Sequence, residues 1–271
     1  MKTVATETCC LCGNYSEFKI KKEATLLREA GCCHCGASLR SADVARVLME
    51  TLSGGKYYAT LRECAAAAGG LRILNLFSEG PIHEALRQLP QYAFGEYFDN
   101  VKSGDYYKGV RCIDLQNMPF ADQSLDVIVT EDILEHVAEP AQAFREINRV
   151  LRPGGSLLLT VPVHEKNRTV SRKGNKNQVY HGDPLREAGA LVMTDFGHDI
   201  PQILGKYGLT AREVVGHRFF APEEISYLDE EYDQYLQKRQ DLLQVFRYNS
   251  IVYVGTKGKP GFWQRLAAWF Q

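Results

Sequence analysis

The amino-acid sequence predicts an α/β protein with a doubly wound, mostly parallel sheet and a small cysteine-rich module at its N-terminus. Three observations support this. Short apolar runs alternate with amphipathic segments from Leu71 onwards, six of the eight cysteines lie in two clusters before residue 40, and Gly or Pro marks the ends of many runs. Such alternation is typical of parallel strands joined by helices that cover both faces of one sheet.

The composition is that of an ordinary globular chain. With 271 residues, 45% of them hydrophobic and 24% charged, the chain is long enough for one large domain and a small appendage. A formal net charge of −1 gives no general attraction to nucleic acid, so we expect no nucleic-acid partner. The sequence contains no apolar stretch long enough to span a bilayer and no signal-peptide core, so we expect a cytoplasmic location.

The cysteine clusters read CCLCG and CCHCG, and each contains a C-x-x-C pair followed by glycine. Two intervening residues allow both thiolates to reach one tetrahedral zinc ion, and the glycine relieves crowding where the turn closes. This spacing selects Cys9, Cys12, Cys32 and Cys35 as ligands. Residues 1–40 are therefore predicted to form a zinc ribbon around a structural Zn²⁺. The alternatives are free or redox-active thiols, or His34 as one of the ligands.

Residues 41–70 are predicted to form a helical connector. Ser41 is the expected N-cap of a first helix, and a second helix is expected over residues 59–68, ended by a Gly-Gly pair. The apolar face of the first helix is predicted to contain Val44, Val47, Leu48 and Leu52.

Residues 71–256 are predicted to form the α/β domain. Buried strands are expected to begin at Ile73, Tyr92, Val110, Asp126, Ser156 and Ser250. Helices are expected from Pro81, Ala141 and Ile200. The stretch from residue 163 to about residue 195 shows no clear periodicity and is expected to be irregular. Residues 257–271 are predicted to form a short amphipathic helix.

The segment after the third predicted strand contains MPFADQSLD, EDILEHV and RVLRPGG in that order. It resembles class I S-adenosylmethionine-dependent methyltransferases, of the broad group that modifies small molecules and glycans. The resemblance covers the α/β domain and implies a Rossmann-like methyltransferase fold. It also implies S-adenosylmethionine as cofactor, with its ribose hydroxyls on Glu96, its adenine amine at Asp114 beside Leu115, and its methyl-transfer site near Glu131.

The first loop of the predicted domain departs from that family. Its members usually have an acidic residue followed by G-x-G-x-G after the first strand, whereas this chain has NLFSEGP. We expect Asn75, Phe77 and Gly80 to contact the cofactor at this loop. Either the loop shifts so that its Glu-Gly-Pro sequence makes the close turn, or the fold has lost the cofactor. The YHGDP motif from Tyr180 resembles a bacterial branch of the family often linked to polysaccharide assembly, which favours a working enzyme.

A hydroxyl acceptor must lose its proton, and histidine is the natural base near neutral pH. His181 is the first candidate because its motif follows the fifth predicted strand on the cofactor side, with Asp183 expected to orient it. His136, just after the fourth predicted strand, is the second candidate. The loop over residues 164–178 has an excess of Lys and Arg that would suit an anionic acceptor such as a phosphorylated sugar. A solvated loop is the alternative.

The sequence therefore predicts an S-adenosylmethionine-dependent methyltransferase that modifies an oxygen or nitrogen of a small molecule or glycan. Two other classes remain open. A non-catalytic relative would keep the fold and bind a protein partner through the ribbon. Ribosomal RNA methylation is compatible with a ribbon ahead of this fold, but the near-neutral charge and the sequence TEDI, in place of an N-P-P-Y-like motif, count against it. The sequence also allows a homodimer through the ribbon or the C-terminal helix.

Overall fold

The computed structural model describes residues 2–20, 27–164, 168–183, 186–217 and 250–258. Almost all of the predicted C-terminal helix, from residue 259 onwards, lies outside these residues, as does a part of the predicted basic loop at 165–167.

The strands are β1 (Lys2–Thr8), β2 (Tyr15–Ile20), β3 (Gly31–Cys32), β4 (Ile73–Asn75), β5 (Tyr92–Phe94), β6 (Tyr106–Tyr107), β7 (Val110–Arg111), β8 (Leu125–Glu131), β9 (Leu151–Thr160), β10 (Val163–His164), β11 (Val170–Ser171), β12 (Tyr180–Asp183), β13 (Arg186–Leu191), β14 (Thr194–Gly197), β15 (Leu209–His217) and β16 (Ser250–Lys257). The α-helices are α1 (Leu39–Leu52), α2 (Leu61–Ala67), α3 (Pro81–Leu86), α4 (Pro140–Val150) and α5 (Ile200–Lys206). Leu27–Glu29 and Leu134–His136 each form a turn of 3₁₀ helix.

The central sheet has the strand order β15-β16-β9-β8-β4-β5. The pairs β9–β8, β8–β4 and β4–β5 are parallel, whereas β16 runs antiparallel to both β9 and β15. Beyond β5, a parallel bridge joins Glu96 to Cys112, so the predicted strand at Val110 reaches the sheet through one residue pair only. The order reverses between β4 and β8, as in a Rossmann-like fold, and this confirms the predicted wound sheet with helices.

Alternate residues of the central strands enter two separate cores, one on each face of the sheet. Every residue of β8 is buried, as is expected for a parallel strand covered on both sides. On one face, Ile128 packs in a cluster with Phe144 of α4. On the other face, Val127 and Val129 share a core with Leu48 of α1. The two faces are therefore closed by helices from different parts of the chain.

The N-terminal module packs directly onto this second face. Strands β1, β2 and β3 form a small antiparallel sheet, and Phe18 of β2 and Cys9 lie in the same apolar cluster as Leu48 and Val252 of the central sheet region. The cysteine-rich segment, α1 and the central sheet are thus held together by one continuous apolar core.

The first residues of α1 correct the predicted cap. Ser38, not Ser41, is the N-cap, and its side chain accepts a hydrogen bond from the Ser41 backbone N–H. The Ser41 hydroxyl instead donates to Glu131 at 2.8 Å. The second helix begins at Leu61, where Thr60 and Glu63 form a capping box.

Two further expectations about secondary structure are wrong in detail. The stretch predicted to be irregular contains the short strands β10 to β14, whose sequences lack an alternating apolar pattern. The strand expected from Ser156 is β9, which begins at Leu151 directly after α4 ends at Val150, so the Pro-Gly-Gly sequence lies inside the strand, where the register with β8 shifts. Within the described ranges, no helix combines the length and apolar composition that crossing a bilayer requires.

The crowding at this register shift gives a stability prediction. A Cβ atom on Gly155 would lie 2.9 Å from the Arg152 carbonyl oxygen and 3.0 Å from that of Asp126, and backbone atoms cannot easily yield. We expect Gly155→Ala to lower the free energy of unfolding by about 1–3 kcal/mol in urea titrations. Gly205→Ala is the control, because its Cβ meets nothing within 4 Å in α5, and it should be neutral or slightly stabilising. Equal stabilities for the two variants would contradict this packing.

Candidate functional site

A cavity of about 490 Å³ opens at the carboxyl ends of β4, β5 and β8. Ligands in open α/β sheets bind at this edge, near the reversal of strand order. The strand ends contribute Leu76, Phe77, Glu96, Tyr97, Asp99, Asp132 and Ile133, together with residues 113–116 and 136–138. The opposite wall belongs to the β12–β13 hairpin and its neighbour, through Tyr180, Gly182, Arg186, Met193 and residues 189–191.

Two carboxylates predicted to bind the cofactor face this cavity. Glu96 follows β5, and its Oε1 accepts hydrogen bonds from the backbone N–H of Ser78 at 3.1 Å and from the Ser78 hydroxyl. Asp114 follows Cys112 and Ile113, and its Oδ1 accepts from the Gln116 backbone N–H at 2.8 Å. One oxygen of each carboxylate is therefore fixed by the chain, which orients the group at the cavity wall.

Of the residues that were predicted to contact the cofactor at the first loop, after β4, only some line the cavity. Phe77 lines the cavity, as does the predicted Leu115. Asn75 is buried instead, and its Nδ2 donates to the Phe77 carbonyl oxygen at 3.1 Å and to the Tyr92 hydroxyl at 3.2 Å. Gly80 has φ 92° and caps α3, outside the residues that line the cavity. Asn75 therefore stabilises the loop through buried hydrogen bonds, while Phe77 would contact a ligand bound in the cavity.

Glu131, predicted near the methyl-transfer site, does not line the cavity. Its carboxylate is buried and accepts hydrogen bonds from Arg40 Nη1 and the Ser41 hydroxyl, both at 2.8 Å. The structure thus uses Glu131 to anchor α1 to the end of β8.

Asp132, one residue further on, does line the cavity and is held by the N-terminal module. Arg28 donates to both of its carboxylate oxygens, at 3.2 Å and 2.7 Å, and Thr160 donates to Oδ1 at 2.9 Å. Burial opposes ionisation of this carboxyl, but the charges of Arg28 and Arg40 outweigh burial and hold the pKa of Asp132 well below its usual range. The part of the cavity lining that Asp132 forms is therefore held by an ion pair between two distant segments of the chain.

Glu135, His136 and His181 form a cluster beside the cavity. The Glu135 Oε1 atom lies 3.7 Å from His136 Nε2 and 3.7 Å from His181 Nδ1, which is longer than a hydrogen bond. His136 lines the cavity, and the two imidazole rings meet edge to face at 5.1 Å. Burial raises the pKa of the Glu135 carboxyl, with the His181 side chain opposing the rise. Both histidines were predicted from the sequence as catalytic residues, but Glu135 was not, although it directly precedes His136 in EDILEHV.

The backbone of Asp183 ends β12, where it pairs with Arg186, but its side chain lies outside the described part of the structure. The orienting role predicted for Asp183 therefore stays a prediction.

The four predicted zinc ligands come together at the tips of two turns. All four Sγ atoms lie within 4.8 Å of one another, with Cys9 3.8 Å from Cys35 and Cys12 3.9 Å from Cys32. A tetrahedral zinc with Zn–S bonds of about 2.3 Å separates its sulfurs by roughly 3.8 Å, so this cluster has the size of a four-thiolate metal site.

The neighbouring residues agree with this choice of four cysteines. The trailing glycines Gly13 and Gly36 have φ 77° and 74°, which only glycine adopts at little cost. Cys10 points away, with its thiol against the Ala42 carbonyl oxygen at 3.2 Å, and Cys33 is exposed. For Cys32, burial opposes ionisation, but a hydrogen bond shared with the Ser16 hydroxyl and bonds from nearby backbone N–H groups lower the pKa of the thiol to about 6. Burial raises the pKa of the Cys9 and Cys35 thiols, so Cys32 ionises more readily than these two members of the cluster.

The predicted basic loop is partly neutralised. Arg172 pairs with Asp195 at 2.7 Å, and Lys173 pairs with Glu139. At the cavity itself, Arg186 pairs with Asp99 at 3.0 Å. The attraction that this surface offers to an anionic acceptor is therefore smaller than its sequence indicates.

Comparison with known proteins adds an independent finding. Residues 87–159 match the family model described as "Methyltransferase domain". An uncharacterised methyltransferase of Mycolicibacterium vanbaalenii is 46% identical over 99 residues, which are 34% of this chain and 38% of that protein. A ubiquinone/menaquinone biosynthesis C-methyltransferase of Hahella chejuensis is 32% identical over 108 residues, which are 40% of this chain and 38% of that protein. The chain thus spans well under half the length of these relatives.

Among solved structures, the 1,6-didemethyltoxoflavin-N1-methyltransferase of Burkholderia thailandensis, with S-adenosylhomocysteine bound, is similar with a TM-score of 0.43 and 11% identity, over 80% of this chain and 79% of that one. The matched sequence segment carries β8 and four of the cavity's polar residues: Glu96, Asp114, Asp132 and His136. The matched segment therefore lies in the part of the Rossmann-like sheet that borders the cavity.

The pair between Arg28 and Asp132 can be tested through stability. Arg28→Ala leaves the partly buried carboxylate of Asp132 short of a partner, so we expect a loss of about 2–3 kcal/mol in the free energy of unfolding at pH 7. The folded-state pKa of Asp132 lies below its unfolded value, so this stabilisation is fully present above about pH 4 and falls as the pH drops further.

Urea titrations at pH 7 and pH 3 measure both effects. Arg87→Ala is the matched control, because Arg87 pairs with Glu84 at 3.0 Å on the surface with both side chains about half exposed, and it should cost about 1 kcal/mol or less. A loss for Arg28→Ala that does not shrink at pH 3 would show that the ion pair is not its cause.

Proposed function

We propose that the protein is an S-adenosylmethionine-dependent methyltransferase whose acceptor is a hydroxyl or amine of a small molecule or glycan. One observation carries the proposal: Glu96 and Asp114, on neighbouring strand ends, face one cavity within a segment that matches a methyltransferase domain. The cavity volume of about 490 Å³ lies in the usual range for small-molecule sites.

The residues of the cavity fit the cofactor. In the proposed arrangement Glu96 accepts the ribose hydroxyls, Asp114 accepts the adenine amine, and the apolar side chains of Phe77 and Leu115 pack on the nucleoside. A carboxylate is the natural acceptor for such donors, and one oxygen of each is already fixed by the chain. When bound, the cofactor supplies a sulfonium methyl group that is already electrophilic. The chain's own task is then to align the acceptor and to accept or release its proton.

The proposed catalytic residues are His181 and His136, with Asp183 as the group that orients His181. Both imidazoles belong to the cluster beside the cavity. Gly182, which follows His181 in β12, lines the cavity. This position supports a role for the β12–β13 hairpin in acceptor binding. The YHGDP resemblance, whose first four residues form β12, favours a glycan or glycan precursor.

The four cysteines are proposed to bind one structural zinc ion. Their sulfur separations support this, and the ion would stiffen a module that holds Asp132 through Arg28. Thiolate ligands persist in a reducing compartment, so the proposal includes a cytoplasmic location.

A non-catalytic scaffold is the second candidate function, and the first loop favours it. The side chain of Phe77 lines the cavity near the place where the family's glycines let the backbone approach the cofactor. In that case the ribbon surface would bind a protein partner and the cavity would bind no nucleoside.

Cofactor binding separates these two functions. Isothermal titration of the wild-type protein with S-adenosylmethionine and S-adenosylhomocysteine should show one site. Asp114→Ala should weaken it by roughly tenfold or more, because losing a charged hydrogen-bond partner costs about 1.5–3 kcal/mol. Asp122→Ala is the control, since Asp122 is a surface carboxylate paired with Arg149 away from the cavity lining. A wild-type protein that binds neither compound would support the scaffold function instead.

Zinc content tests the cysteine site. Protein purified without added metal should contain one zinc per chain, and the Cys12→Ser, Cys35→Ser double variant should lose it. Cys33→Ser is the matched control, because Cys33 is exposed and outside the four-sulfur cluster. Inductively coupled plasma mass spectrometry measures the ratio. Zinc retained in the double variant, or lost in the control, would contradict the assignment.

A further inference from the structure

The cluster beside the cavity contains a carboxylate whose burial is unexplained by the protein alone. Glu135 is 1% exposed, and neither of its carboxylate oxygens has a hydrogen-bond partner among the described residues. A buried carboxylate without a partner is strongly unfavourable, so such groups are normally paired or coordinate a metal. The nearest polar groups of the cluster are the two imidazoles at 3.7 Å.

We propose that Glu135, His136 and His181 bind a divalent metal cation at the wall of the cavity, and that a hydroxyl oxygen of the acceptor completes its coordination. The cation site stands on the geometry of the cluster alone. The role of the acceptor rests on the proposed methyltransferase function.

The separations within the cluster suit a metal. The ligand atoms of all three residues lie within 4.8 Å of one another, and Glu135 Oε1 lies 3.7 Å from a ring nitrogen of each imidazole. A cation about 2.1 Å from each ligand atom needs neighbouring ligand atoms to be roughly 3.0–3.5 Å apart. A small inward movement of the side chains would therefore complete the site without a change in the backbone.

The orientation of His136 is the one that a metal ligand requires. Its Nδ1 lies 2.9 Å from the Leu191 carbonyl oxygen, which can only accept, so Nδ1 carries the proton. Nε2 then has its lone pair directed to the side of Glu135. Metal-binding histidines usually donate their second ring N–H to a backbone carbonyl in this way, which fixes both the tautomer and the ring.

The ligand set differs in kind from the four cysteines. Two imidazoles and one carboxylate suit Mn²⁺, Fe²⁺ or Zn²⁺, and three protein ligands leave coordination positions open. Asp132, three residues before Glu135, does not join them, because Arg28 occupies both of its oxygens. His136 also lines the cavity, so a ligand bound there could reach a cation held by the cluster.

A cation here would act on the acceptor. Coordination lowers the pKa of an acceptor hydroxyl, so its proton leaves to solvent and the oxygen stays bound as an alkoxide. That oxygen forms the new O–C bond to the methyl carbon, while the C–S bond breaks and its electron pair stays on sulfur, which becomes the neutral thioether of S-adenosylhomocysteine. The proposal thus selects O-methylation and an acceptor with an accessible hydroxyl group.

The test titrates the full-length, zinc-loaded protein with Mn²⁺ alone, followed by calorimetry and by the loss of the free Mn²⁺ electron paramagnetic resonance signal. A second titration uses Zn²⁺ beyond the first equivalent. Wild-type protein should bind one added ion. Glu135→Gln and His136→Ala should each weaken that binding at least about tenfold. His198→Ala is the control, because His198 is exposed and outside the cluster, and its affinity should equal that of the wild type.

Thermal unfolding shows whether the variants are folded. Glu135→Gln keeps the shape of the side chain and removes a buried charge, so its metal-free midpoint should equal or exceed that of the wild type. Added Mn²⁺ should raise the midpoint of the wild type but not of this variant. Failure of both Mn²⁺ and a second Zn²⁺ to bind, or equal affinity in the ligand variants, would overturn the proposal and leave His181 as a direct proton acceptor. The metal titration contains no cofactor, so its result is independent of the proposed methyltransferase function. A protein that binds Mn²⁺ but does not bind S-adenosylmethionine would contradict the methyltransferase function and support the metal site.

Discussion

The ion pair between Arg28 and Asp132 is the interaction on which the site depends. Asp132 lies at the end of the fully buried strand β8 with φ 50°, a left-handed conformation that is unusual for a residue other than glycine. Two hydrogen bonds from Arg28 and one from Thr160 hold it there. The turn that follows carries Glu135 and His136. The N-terminal module therefore helps to fix the segment that presents the proposed catalytic groups.

This arrangement gives the cysteine-rich module a role inside the domain. Its strands share an apolar core with α1 and the central sheet, and Arg28 from the module and Arg40 from α1 both reach the acidic end of β8. A metal ion that orders the module would stabilise the position of Asp132 at the cavity without contacting the cofactor. The two proposed metal sites differ in ligand chemistry and therefore in role. Four soft thiolates complete the coordination of a structural ion, whereas two imidazoles and a carboxylate leave coordination positions free for a ligand.

Much of the fold could be predicted from the sequence because its signals are local. Buried runs separated by Pro and Gly predicted β4, β5, β8 and β9, and the glycines after each C-x-x-C pair predicted the turns that bring the four sulfurs together. The differences between the predicted and the observed positions of site residues come from long-range partners. Glu131 turns from the cavity because Arg40 and Ser41, some ninety residues earlier, bind it. Glu135 gains significance only when the β12–β13 hairpin brings His181 beside it, and that hairpin has too polar a sequence to be recognised as strands.

The central claim is that the cavity at the ends of β4, β5 and β8 binds the nucleoside of S-adenosylmethionine. A crystal structure of the full chain grown with S-adenosylhomocysteine tests it most directly. The account predicts the ribose hydroxyls on Glu96, the adenine amine at Asp114, and the sulfur directed to the wall formed by His136 and Gly182. A nucleoside bound elsewhere, or a cavity that stays free of it at saturating concentration, would contradict the account.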